Sequence, residues 1–159
     1  MKNKKKPLLS FDEFVEKLKH EPRENSILQE DYQVRKNQWI KAVNDLYEYI
    51  DLVLVRKLIN AGVEVFAEKE NVLVYEDYIG SYMIENYVIK INHHVVKFNP
   101  IGTIIIDACG KINLLLPKDT IKLVLKNWTD WKIVTGFGDA IQLIDFNENN
   151  LLALLQENL

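Results

Sequence analysis

The chain has 159 residues, 48% hydrophobic and 27% charged, with a net charge of −3; these are the values of one folded domain and exclude a disordered chain. A single cysteine excludes an internal disulfide and an all-cysteine metal site. No apolar run approaches the ~20 residues of a bilayer-spanning helix, and the basic start runs into FDEFVEKLKH, not an apolar segment. The expectation is a cytoplasmic protein without membrane contact.

Residues 1–9 read as a flexible basic tail, and residues 10–159 as a single α+β domain. Ser10 and Glu13 have capping-box spacing, so a helix should start beside Ser10, with Phe11, Phe14, Val15 and Leu18 on one face and Pro22 ending it. Ser26 and Gln29 repeat the pattern and should open a long helix. Leu28, Tyr32, Trp39, Val43, Leu46, Ile50, Val53 and Leu58 carry its apolar stripe, and Gly62 suits its C′ position. A helix over 28–60 would be roughly 50 Å long, so a break or a kink near Lys36-Asn37 is expected. It is apolar on more than one face at Leu52–Val55.

After Gly62 the period changes to two. Short strands are predicted at Val63–Val65 and Val72–Tyr75, parted by Glu68-Lys69-Glu70. Further strands follow at 82–91, 95–98, 103–108, 111–116, 121–125, 131–135 and 140–144. Turn signals stand between them at Asn92-His93-His94, Asn99-Pro100-Ile101-Gly102, Cys109-Gly110, Pro117-Lys118-Asp119 and Gly136-Phe137-Gly138-Asp139. Thr103–Ile106 is apolar on both faces. It is placed as a central, covered strand, with Ile104, Ile105 and Ile106 buried. Asn147 should cap a last helix with a leucine face. The fold class is thus α+β: an N-terminal helix pair, then a mainly antiparallel meander of about seven or more strands, open or curled toward a half-barrel, closed by a C-terminal helix.

Charge is uneven along the chain. Through Gly62 there are 12 Lys or Arg against 10 Asp or Glu; beyond it there are 8 against 13. Arginine, the main reader of phosphates and base edges, occurs only at Arg23, Arg35 and Arg56, so the folded body is not expected to bind nucleic acid.

Two constellations carry chemistry. Cys109 with His93 or His94 and Asp107 has the residue types of a thiol nucleophile, a base and an orienting acid. A meander with a strand at 103–108 would put the histidines and the cysteine near the same edge or opposite edges according to register, and two tight hairpins in a row give the same edge. No motif surrounds Cys109, and a buried thiol is ordinarily inert. Adjacent histidines on a strand face opposite ways, so no metal site is expected, and no nucleotide-binding glycine loop occurs. No cofactor is expected.

The second constellation is Glu76, Asp77 and Glu85 beside Tyr75, Tyr78, Tyr82 and Tyr87. It reads as an acidic, tyrosine-rich surface for a partner protein, with Tyr78 and Tyr82 as anchors. Trp128 and Trp131 stand three apart, one expected in the core and the other as a contact residue. The favoured function is a non-catalytic, intracellular protein-binding module, such as an adaptor or a bacterial immunity or antitoxin-like protein. The alternative is a small-molecule-binding or hydrolytic domain using Cys109 with His93 or His94. Neither the partner nor the oligomeric state is legible.

Overall fold

The change of period at Gly62 is where the backbone changes from helix to sheet. The computed structural model describes residues 8–19, 24–103 and 108–159. Ahead of the glycine lie α1 (Phe11–Lys19), α2 (Glu24–Ile50), a π turn (Asp51–Val55) and α3 (Arg56–Asn60). Ser10 caps α1 as expected, its Oγ accepting from the Glu13 N–H at 3.3 Å. Ser26 does not open α2, which is already helical at Glu24.

Nor does the long helix break at Lys36-Asn37: its assignment runs through from Glu24 to Ile50, with no proline or glycine in it. The irregularity falls at Asp51–Val55, where one π turn brings both Leu54 and Val55 into the core. Gly62, at φ +86°, closes the helical half. The Val63 N–H reaches Leu58 O, and the Gly62 N–H reaches Ile59 O, both at 3.0 Å, the paired bonds of a Schellman cap.

The second half is one seven-stranded antiparallel sheet in simple chain order. Its strands are β1 (Val65–Glu76), β2 (Gly80–Ile91), β3 (His94–Gly102), β4 (Gly110–Leu115), β5 (Thr120–Lys126), β6 (Asp130–Thr135) and β7 (Gln142–Asp145). β1 and β7 do not pair, so the sheet is open. Ile112 and Leu114 of β4 face Leu123 and Ile121 of β5, and the period-two alternation aims this set inward. There it meets Trp39, Val43, Leu46, Tyr47 and Ile50 of α2 in one core. α4 (Glu148–Asn158), capped by Asn147 Oδ1 on the Asn150 N–H at 2.9 Å, adds Leu151 and Leu155. Trp39 lies directly on Gly110: a Cβ there would stand 2.1 Å from the indole.

Three strand expectations change. Glu68-Lys69-Glu70 does not break β1, because an edge strand carries charge outward without cost to the core. Asn99–Gly102 is the end of β3 rather than a turn, with a bulge between Pro100 and Gly102. Proline is tolerated there because the β2–β3 ladder ends at Tyr87 opposite Phe98, leaving β3 paired on one side. Finally, β3 pairs directly with β4, Phe98 opposite Leu114. No strand stands between them, and the residues expected to form one, Ile104, Ile105 and Ile106 among them, lie outside the described residues.

Candidate functional site

The β1–β2 hairpin is a ribbon whose two faces exchange roles along its length. Paired residues share a face. Near its base Ile89 and Ile91, with their partners Ala67 and Val65, turn into the core. Near its tip the alternate set does so: Tyr82 opposite Val74, and Ile84 opposite Val72. The exchange occurs where β2 leaves β3, and the Tyr47 hydroxyl of α2 fills that opening. It donates to Glu85 O at 2.7 Å and lies 3.5 Å from Phe98 O. Burial, chiefly, with Glu85 nearby, raises the Tyr47 pKa well above the usual phenol range.

A buried polar knot holds the tip. Glu76 Oε2 accepts from the Tyr82 hydroxyl at 2.5 Å. Glu76 Oε1 accepts from the Thr103 N–H at 2.5 Å and from the Thr103 hydroxyl at 3.1 Å. The Arg35 guanidinium of α2 donates to Thr103 O and lies 5.7 Å from the Trp128 ring. Gly102, at φ +157°, admits the carboxyl: a Cβ would fall 2.6 Å from Glu76 Oε1. Desolvation first, then the bond to Glu76, raises the Tyr82 pKa.

Two members of the expected acidic surface are therefore interior. Glu76 is 8% exposed and Tyr82 6%; the carboxyl has exchanged water for protein donors, the Tyr82 phenol among them. Asp77 is exposed, Glu85 half-buried. Tyr78 is 76% exposed at the turn, at φ +69°, and its ring stacks on Tyr32 of α2 with 5.5 Å between centroids. The sequence reading missed what lies on the outer face of the tip. Leu73 and Met83 are directly cross-strand, and Tyr75 lies beside them, at 66%, 52% and 70% exposed. The signal was present in Val72-Leu73-Val74-Tyr75, apolar on both faces of a strand that buries one.

The thiol constellation is not assembled. His93 ends the β2–β3 turn and His94 begins β3, their rings 4.0 Å apart. Cys109 precedes β4 at the other end of β3, its N–H bonded to Leu125 O at 2.8 Å. The eight steps of β3 between them span about 26 Å at ~3.3 Å per residue. Their expected proximity required a strand at 103–108. Asp107 lies outside the described residues. Among the described residues no group of three or more His, Cys, Asp or Glu is placed to hold a metal ion, and no helix is long and apolar enough to cross a membrane.

Two clefts flank α2. The larger, about 760 Å³, lies between α2, the β5–β6 turn and the end of β7. The smaller, about 440 Å³, sits beside the π turn, where Asp51 accepts from Arg56 Nε at 2.7 Å and lies 3.3 Å from the Tyr87 hydroxyl. Burial, then Asp51, pushes the Tyr87 pKa up to about 12. Comparison of the chain with protein-family models, with curated proteins and with solved structures finds no match.

Proposed function

We propose that the protein is a non-catalytic binding module that docks another protein on the outer face of the β1–β2 hairpin tip. The observation that carries this reading is the cross-strand cluster Leu73, Met83 and Tyr75, left open on a ribbon whose inner face is pinned. Apolar side chains presented on a pre-ordered strand pair contribute binding area at small entropic cost. Asp77 and Glu85 beside the cluster, together with the acidic excess of the chain beyond Gly62, favour a partner with an apolar patch rimmed by lysine or arginine. In this reading Tyr75 replaces Tyr82 as an anchor, and Tyr78 remains at the rim. An adaptor, or an immunity-type protein that covers a basic partner in the cytoplasm, would act in this way.

The test is a paired Leu73→Asp and Met83→Asp variant, assayed against partners captured by the wild-type chain. The expected result is unchanged thermal unfolding with the capture lost. Retained capture would refute the proposal. Light scattering separates the competing occupant: a wild-type dimer that the variant dissociates would mean that a second copy of this chain covers the face.

A further inference from the structure

The β5–β6 hairpin presents an aromatic cleft that the docking face does not use. Trp128, Trp131, Tyr49 and Phe146 line it, each half-buried, in a protein that buries Trp39, Tyr47 and Phe98 completely. The rings are braced by their neighbours. Trp131 lies 5.9 Å from Trp39, Phe146 meets Tyr49 edge-on at 6.4 Å, and Arg35 lies over Trp128. At about 760 Å³ the cleft is within the range of small-molecule sites, roughly 300–1,000 Å³.

The turn that supplies Trp128 is conformationally expensive. Asn127 and Trp128 both have left-handed backbones, at φ +52° and +62°. For a bulky side chain this is an outlier, which glycine would avoid. The chain nevertheless holds an indole at the mouth of the cleft.

The charges select the ligand. Lys41 is bonded to Asp45 at 2.6 Å, and Lys132 to Asp145. Asp130, between the two tryptophans, makes no close ion pair among the described residues; its charge acts on Lys132, and it lies cross-strand from Lys126. With both lysines engaged, the lining offers an anion no uncommitted cation, whereas one carboxyl stands beside several aromatic faces. Ring faces and carboxylates both attract positive charge.

We propose that this cleft binds a small organic cation, an ammonium or guanidinium group carried on a free small molecule. The ring faces of Trp128 and Trp131 receive the cation, and Asp130 supplies its counter-charge. The test titrates the full-length protein with choline chloride, followed by calorimetry and by tryptophan fluorescence, against sodium chloride and glucose as controls. A saturable response to choline alone is expected. Trp128→Gly, which suits the left-handed turn, should weaken choline binding by about tenfold or more, and Asp130→Asn by about fivefold, with the fold retained in both. Four results would overturn the proposal: no saturable response to choline, an equal response to glucose, unchanged affinity in both variants, or binding of a lysine-bearing peptide but not of choline.

Discussion

Two hairpin tips clasp the first part of α2, and both do so with an aromatic residue in a left-handed turn. Tyr78 of the β1–β2 turn stacks on Tyr32, and Trp128 of the β5–β6 turn meets Arg35, one helical turn further along. Their anchoring differs. The β1–β2 tip is fixed from within by the Glu76, Tyr82 and Thr103 knot, so its turn aromatic is a 76% exposed accessory. At the β5–β6 tip the indole itself is part of the packing and of a cleft wall. A tip secured by buried polar groups leaves its outer face free for another protein, whereas a tip secured by its own ring commits that ring to what lies beneath.

The largest effect expected from this contrast is at Glu76. Glu76→Ala strips acceptors from the buried Tyr82 hydroxyl and from the Thr103 N–H and hydroxyl, and should cost about 2–4 kcal/mol in urea unfolding. A cost below about 1 kcal/mol would mean that ring packing holds this tip as well. Arg35→Met comes next, at about 1–3 kcal/mol, because it leaves Thr103 O without its donor and Trp128 without its cation.

Much of this fold was legible in the sequence. Gly62 marked the change of period, and Ile112/Leu114 and Leu123/Leu125 announced their inward faces through strict alternation. Asn147 and Ser10 announced their helices. What could not be read depended on contacts distant in sequence. Glu76 resembled a surface carboxylate because donors such as the Thr103 N–H reach it from 27 residues away. Nor could the direct pairing of β3 with β4 be read, because partners across a ladder are chosen by register and not by local composition. Tyr82, expected at the surface, is interior because the ribbon switches faces, which no local periodicity encodes.

A third prediction concerns alkaline pH. A phenol whose folded pKa lies above its unfolded value near 10 stabilises fully below about pH 10 and loses that stabilisation as pH rises toward the folded value. For Tyr87, pushed up to about 12, the window is therefore about pH 10 to 12, with Tyr82 and Tyr47 acting in the same direction. Stability should be flat to about pH 9 and then fall by no more than about 1.4 kcal/mol per pH unit for each such group. Tyr87→Phe should reduce the slope, and an unchanged slope in chemical denaturation would remove Tyr87 from the account. The smallest effect is at Tyr78. Tyr78→Gly loses a stacked ring but relieves a left-handed backbone, so it should change stability by less than about 1 kcal/mol.

The central claim, that one face of the hairpin tip docks a protein while the other holds the fold, is tested most directly by placing a photocrosslinking side chain at Leu73. The control is Glu68, exposed on the same strand but on the opposite set of alternating positions. The account predicts a partner adduct from position 73 and none from position 68. Adducts of equal yield from both positions, or an adduct from position 68 alone, would contradict it.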